Sequence, residues 1–189
     1  MSLSGRFDIL PTTISGLGVL QRKPISDSRG SLERLFCSDE LKILISGKRI
    51  EQINHTVTTH SGSVRGLHYQ KTPYAETKFV HCLRGTVFDI AVDLRSDSPT
   101  FLRWHAEVLS ANNHRTLVIP EGFAHGFQAL DDECEMLYLH TEFYNQDAEC
   151  GLHPQDPRLA IRWPLPVASL SPLDAARPFI DAHFSGLSV

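Results

Sequence analysis

Two stretches of the sequence set a histidine among glycines and aromatic residues rather than among charges. The first is Ser63-Val64-Arg65-Gly66-Leu67-His68-Tyr69-Gln70, followed by Lys78; the second is Ile119-Pro120-Glu121-Gly122-Phe123-Ala124-His125-Gly126-Phe127. Imidazole titrates nearer neutral pH than any other side chain, so a histidine in such a setting is a natural general base. The competing reading, for any one of the ten histidines, is a core imidazole with its hydrogen bonds satisfied. One histidine alone does not decide between them.

The elements that would position these groups read as strands. Short strand-like runs recur at residues 17–20, 31–36, 50–57, 77–83, 86–94, 101–109, 117–119 and 134–142. Such spacing, with turn residues between, is that of an all-β sandwich or barrel. The runs at 78–83 and 86–93, joined by Arg84-Gly85, predict a hairpin in which Gly85 supplies the positive φ of a tight turn. Helix is scarce. Ser38-Asp39 predicts a cap for a short helix over 40–45, and residues 173–184 a last helix interrupted at Pro178. Strands without intervening helices argue against a parallel βαβ sheet. With no GxGxxG and no Walker loop, a nicotinamide or ATP enzyme is disfavoured.

At 189 residues, 41% apolar and 21% charged, the chain is expected to fold as one soluble domain over 1–189. A net charge of -4 with no basic block argues against a nucleic-acid partner. There is no N-terminal signal pattern, and no apolar run approaches the roughly 18 residues of a membrane span. Cys37, Cys82, Cys134 and Cys150 are scattered, forming neither a CxxC pair nor a disulfide framework. The expectation is a reduced, cytoplasmic protein away from membranes.

Further motifs run in one order from about Gly16 to Asp174. They include Asp27-Ser28-Arg29-Gly30, Gln52-Ile53-Asn54, Arg65-Gly66-Leu67-His68-Tyr69-Gln70, Phe88-Asp89-Ile90-Ala91-Val92-Asp93-Leu94-Arg95 and Ser98-Pro99-Thr100. Pro120-Glu121-Gly122-Phe123-Ala124-His125-Gly126-Phe127, Asp156-Pro157, Trp163-Pro164 and Leu170-Ser171 complete the set. In these the chain resembles the dTDP-4-dehydrorhamnose 3,5-epimerase family. A PxGxxH motif alone would be shared by any cupin-like barrel; the ordered set is far more specific. The resemblance implies an all-β, cupin-type double-stranded β-helix, an antiparallel jelly-roll barrel with minor helix. It also implies epimerisation of a nucleotide-linked 4-keto-6-deoxyhexose at C3, C5 or both, in deoxysugar biosynthesis, with no metal and no organic cofactor. Both carbons flank the C4 ketone, so loss of their proton gives an enolate. That chemistry needs a base on one face, an acid on the other and a cation for the oxyanion.

Carried over by resemblance, His68 is the base, Asp174 the carboxylate that orients it, Lys78 the cation beside the enolate oxygen and Tyr138 the proton donor. In isolation Tyr138 would be a packing residue, Lys78 an edge charge and Asp174 a helix-start residue; their joint occurrence at the family's spacing outweighs this. Strand alternation puts His68 on one face with Gly66 and Gln70, and Tyr138 with Met136 and His140. Arg29 resembles a residue reaching the diphosphate from a neighbouring subunit, which implies a homodimer. Arg65 resembles a diphosphate contact, a role suited to the guanidinium fork. Gln52 and Asn54 resemble polar ligand contacts, His125 a pocket residue near the sugar, Tyr144 the aromatic that stacks on the nucleotide base, and Glu149 a polar contact beside it.

Four departures fall on ligand recognition. The run after Arg29-Gly30 is Ser31-Leu32-Glu33-Arg34, which places Arg34 where the family has a ligand-binding Glu. Glu76 replaces a Gln, Leu173 replaces a lysine before Asp174, and one residue is inserted between Asn54 and Arg65. Nucleotide, hexose and number of inverted carbons therefore stay open. One alternative is a metal-dependent cupin oxygenase or isomerase. Against it, Gln70 stands where a second ligand histidine is expected, leaving His68, His125 and at most Glu76. The other is a non-catalytic sugar-nucleotide binding module, which predicts loss of His68, Tyr138 or Lys78; all three are present.

Overall fold

A computed structural model describes residues 5–189. Its strands are β1 (Phe7–Pro11), β2 (Gly18–Arg22), β3 (Ile25–Asp27), β4 (Gly30–Leu32), β5 (Gln52–Thr58), β6 (Val64–Gln70) and β7 (Lys78–Arg84). They continue as β8 (Thr86–Asp93), β9 (Trp104–Ser110), β10 (Arg115–Ile119), β11 (Phe123–Ala129), β12 (Cys134–His140) and β13 (Glu149–Gly151), before one helical turn, α1 (Pro172–Ala175). One sheet has the order β1-β2-β10-β7-β12-β5, a second β13-β6-β11-β8-β9, and β3 and β4 pair alone as a ribbon. From β5 to β8, and again from β9 to β13, each strand passes to the opposite sheet. Antiparallel strands wound in this way form a jelly-roll barrel of the cupin type.

Alternation along each strand decides what enters the barrel. Val80, Cys82, Val87, Ala91, Leu117, Phe127, Met136 and Tyr138 belong to the core between the sheets. The outer faces are covered too. Phe7, Leu20, Leu41, Phe79 and Val118 pack together on the first sheet, and Leu67, Val92, Leu94, Leu152 and Leu159 on the second. Strand β8, interior to its sheet, is therefore buried almost throughout.

Several sequence expectations are corrected. The runs joined at Arg84-Gly85 are not a hairpin. Strand β7 pairs with β10 and β12, whereas β8 pairs with β9 and β11. Gly85, at φ +74°, turns the chain from one sheet to the other, and a Cβ there would lie 2.8 Å from the Cys134 sulfur. The expected helix over 40–45 is a 3-10 turn at Lys42–Leu44 without a side-chain cap. The last helix ends after α1, long before Phe184, because Pro178 follows closely and the remaining chain packs as irregular cover. The strand expected over 31–36 stops at Leu32, and β1, β3, β6, β11 and β13 fall outside the expected runs.

Strand β6 departs from simple alternation in a way that matters for the cavity. His68 pairs with His125, yet Arg65 pairs with Phe127: three steps on β6 match two on β11. One extra residue is thus accommodated as a bulge, which brings both Arg65 and His68 to the barrel interior. Gly66 stands at the irregularity with φ +129°, and a Cβ there would lie 2.6 Å from Gly126 Cα and 2.9 Å from His125 O. Replacing Gly66 by alanine should destabilise the fold by about 2–4 kcal/mol, from overpacking against backbone and a disfavoured φ. Gly47→Ala, also at positive φ but with open space around its Cβ, should lose only about 1 kcal/mol. Urea unfolding of the two variants checks the contrast.

Candidate active site

A cavity of about 620 Å³ opens between the sheets. Arg65, His68 and His125 line it from the second sheet, Asn54, Lys78 and Tyr138 from the first, and Asp174 from the covering turn. A side chamber of about 150 Å³ continues toward Gln52, Tyr144 and Glu149.

His68 Nε2 lies 2.6 Å from Asp174 Oδ1. The imidazole is partly open to the cavity, while the carboxylate is buried. Asp174 is held by its local fold: Ser171 caps α1, its Oγ accepting the Asp174 N–H at 3.0 Å, and Pro172 follows at the first helical position. The Gly66 N–H donates to Asp174 Oδ2 at 3.5 Å. Burial pushes the Asp174 carboxyl up, but the His68 hydrogen bond and charge, with Ser171 and Gly66, outweigh it and hold the group below its ordinary value. An ionised Asp174 takes the Nε2–H and leaves Nδ1 as the imidazole's free acceptor.

Tyr138 stands on the facing sheet, buried, with its hydroxyl 3.4 Å from Thr56 Oγ1. Burial drives its pKa well above that of free tyrosine, so the phenol keeps its proton at neutral pH. Its ring meets that of His125 edge to face, centroids 6.0 Å apart. His125 Nε2 is 2.9 Å from Asp89 Oδ1. Asp89 is raised by burial against the lowering effect of His125, and its Oδ2 is buried without a hydrogen-bond partner among the described residues.

Lys78 is not a lone cation. Its Nζ is 3.0 Å from Glu76 Oε1, and Glu76 Oε2 is 2.9 Å from His140 Nδ1. Burial would raise Glu76, but the Lys78 charge and the two hydrogen bonds leave it lowered. Arg65 Nε donates to Thr58 Oγ1 at 3.0 Å and its terminal nitrogen to Val57 O at 3.1 Å, so the guanidinium is oriented without a carboxylate. The Tyr144 ring is exposed, its hydroxyl donating to Glu149 Oε2 at 2.7 Å, and Arg177 donates to Glu149 Oε1 at 2.6 Å. Gln52 Oε1 accepts the Tyr144 N–H at 3.0 Å.

The structure thus gathers His68, Asp174, Lys78, Tyr138, Asn54, Arg65, His125 and Glu149 about the main cavity, with Gln52 and Tyr144 in its side chamber. Arg29 is the exception. It sits on the exposed β3–β4 ribbon, 87% exposed and bonded to Asp27, and lines no part of its own chain's cavity. Glu33 bonds Arg22 and His114, and Arg34 pairs with Glu40, so neither reaches the cavity. Gln70, expected on the same face as His68, lines the side chamber with it and also holds the 143–145 loop. Asp89, His140 and Arg177 were missed as partners of site residues. For Asp89 the signal was present, a lone acid inside an apolar strand. Among the described residues no three His, Cys, Asp or Glu side chains converge as a metal site.

A cupin-type barrel with proton-bearing groups on facing walls of one cavity defines an isomerase of the proton-transfer class. Residues 11–182 match the family model described as dTDP-4-dehydrorhamnose 3,5-epimerase, and the chain belongs to that family. It is 41% identical over 180 residues to dTDP-4-dehydrorhamnose 3,5-epimerase of Shigella flexneri, covering 94% of this chain and 98% of that protein. It superposes on the Legionella pneumophila dTDP-6-deoxy-D-glucose-3,5-epimerase, solved with dTDP-4-keto-L-rhamnose, with a TM-score of 0.89. That match has 38% identity and covers 97% of this chain and 99% of the other. A 3'-monoepimerase from Streptomyces bikiniensis, solved with dTDP-quinovose, gives a TM-score of 0.80 at 31% identity, covering 89% and 86% of the two chains.

The depressed carboxyl at Asp174 has a pH consequence. Its contribution to stability is complete above the unfolded value, about 3.9, and is lost as pH falls through the lower folded value. Asp174→Asn should therefore be less stable than the native chain at about pH 7. The gap should close as pH falls from about 4 toward 2, as measured by urea unfolding at each pH.

Proposed function

We propose that this enzyme epimerises a dTDP-linked 4-keto-6-deoxyhexose at C3, C5 or both, as one catalytic domain in deoxysugar biosynthesis. The observation that carries the reading is the placement of the His68–Asp174 pair and the Tyr138 phenol on opposite walls of one cavity. In this mechanism the free Nδ1 of His68 takes the proton from a carbon beside the ketone, and the bonding pair moves onto the C4 oxygen as an enolate. The ammonium of Lys78 stabilises that oxygen. Tyr138 then delivers a proton to the opposite face, inverting the carbon, and both groups reset by exchange with solvent. Arg65 receives the diphosphate, His125 bounds the sugar, and Gln52, Asn54, Tyr144 and Glu149 receive the nucleoside.

The working unit in this proposal is a homodimer in which Arg29 serves the second copy's cavity. Support comes from the wholly exposed β3–β4 ribbon, with apolar Ile25 and Leu32, and from Ile53 and Val57 exposed on edge strand β5. Exposed apolar edges of this kind mark surfaces that are covered in the assembled state. Among the described residues no helix is long and apolar enough to cross a membrane.

The test is proton NMR in deuterated water with dTDP- and CDP-linked 4-keto-6-deoxyglucose. Deuterium should enter at C3, C5 or both, preferentially from the dTDP sugar; binding without exchange would favour the non-catalytic module. His68→Ala should abolish exchange and inversion alike. Tyr138→Phe should slow inversion more than exchange, because the abstracting base remains. An active His68→Ala enzyme ends the mechanism.

A further inference from the structure

The side chamber holds an unbroken run of hydrogen bonds that point from both ends toward the Glu76 carboxylate. The Tyr144 N–H donates to Gln52 Oε1 at 3.0 Å, and Gln52 Nε2 donates to Asn54 Oδ1 at 3.2 Å. Asn54 Nδ2 lies 3.4 Å from His140 Nε2, His140 Nδ1 lies 2.9 Å from Glu76 Oε2, and Lys78 Nζ lies 3.0 Å from Glu76 Oε1. With Nδ1–H donating to the carboxylate, Nε2 is the acceptor that the Asn54 amide requires, so the two contacts select one neutral tautomer. The pairing of β5 with β12 sets Gln52 opposite His140 and Asn54 opposite Tyr138, and that of β12 with β7 sets His140 opposite Lys78. Register brings Gln52, Asn54, His140 and Lys78 together, and Glu76 and Tyr144 join them from the segments just before β7 and just after β12.

We propose that His140 and Glu76 are positioning residues that couple the nucleotide end of the cavity to Lys78. The proposal rests on the epimerase reading. A nucleoside seated on Gln52, Asn54 and Tyr144 fixes the amide orientations at that end. Those amides fix the His140 ring, which fixes Glu76 and through it the ammonium over the C4 oxygen. Both Glu76 and His140 are nearly buried, so neither has the freedom to pair elsewhere. Binding energy gathered far from the reacting carbons is then used to place the group that meets the developing oxyanion. The Glu76 carboxylate gives the line its meeting point: it accepts from both sides and cannot donate.

The experiment compares the native chain, His140→Phe, Glu76→Gln and the double variant. Deuterium exchange is measured at saturating dTDP-4-keto-6-deoxyglucose and at saturating 4-keto-6-deoxyglucose 1-diphosphate, which lacks only the nucleoside. His140→Phe should lower kcat with the dTDP sugar about 10- to 100-fold, leaving dTDP affinity nearly unchanged. In that variant the gain in kcat from adding the nucleoside should vanish while the gain in KM remains. The double variant should be no slower than the worse single one, since one line is broken once. Multiplying losses, or a nucleoside effect on kcat that survives in His140→Phe, would overturn the coupling, because a merely structural role predicts both. A readout independent of turnover uses ring nitrogen signals of His140 in the native chain. They should report the Nδ1–H tautomer, shift on adding dTDP, and change tautomer in Glu76→Gln. Unmoved signals refute the coupling even in an active enzyme. Failure of the native chain to exchange any proton refutes the epimerase reading instead, leaving the coupling to be judged on the ring signals.

Discussion

The close approach of β6 to β11 at Gly66 and Gly126 is the constraint on which the cavity depends. A side chain at either position would run into the opposing backbone at 2.6–2.7 Å. Two glycines let the strands pass closely enough for three residues of β6 to be spanned by two of β11. Without that extra residue, Arg65 and His68 would have opposite parity, and one of them would face the outer packing instead of the ligand. The same irregularity leaves the Gly66 N–H directed at Asp174, so the feature that brings the base inward also helps to seat its carboxylate. Sheet register, charge placement and proton transfer are here consequences of one local packing condition.

Three histidine–carboxylate pairs share the cavity, and their surroundings set them apart. His68–Asp174 sits at the opening, its carboxylate held ionised by hydrogen bonds from a capped turn. His125–Asp89 sits deeper, where burial raises the carboxyl and leaves one oxygen without a partner. His140–Glu76 is tied to a cation. Position on the barrel, rather than residue type, separates the three. The first has a lowered acid and an exposed imidazole, which suits proton abstraction; the other two have their free valences enclosed among cavity walls.

Much of this was legible in the residues. The strand expected over 86–94 is β8 and that over 134–142 contains β12, because both are long, apolar on their inward faces and bounded by turn residues. Strands β6 and β11 carry the site histidines yet escape a search for strand-like runs, since their glycines interrupt the hydrophobic pattern. Alternation placed His68 with Gln70, and both line the side chamber; the bulge adds Arg65 to the same wall, which alternation alone could not show. Arg84-Gly85 has the composition of a hairpin turn, but composition cannot tell a turn within one sheet from a corner between two. Partners distant in sequence, such as Arg177 for Glu149 or His140 for Glu76, depend on sheet order and carry no local signature.

Charge accounting in the cavity bears on assembly. Asp174, Asp89, Glu76 and Glu149 are each matched by a histidine, lysine or arginine of the same chain. Arg65 differs: its hydrogen bonds go to a threonine hydroxyl and a backbone carbonyl, so its full charge remains for an anionic ligand. A diphosphate carries more negative charge than one guanidinium neutralises, and Leu173, next to Asp174 and exposed at the cavity rim, brings no charge. In the proposed dimer the balancing cation arrives from the second copy. Arg29 suits that role: it sits on the exposed ribbon, and its only side-chain partner among the described residues, Asp27, is two residues away on the same ribbon. An exposed ion pair of that kind is worth little, so little holds the guanidinium back from a phosphate on a second copy. The proposed dimer and the uncharged Leu173 at the rim are, on this argument, two sides of the same charge requirement.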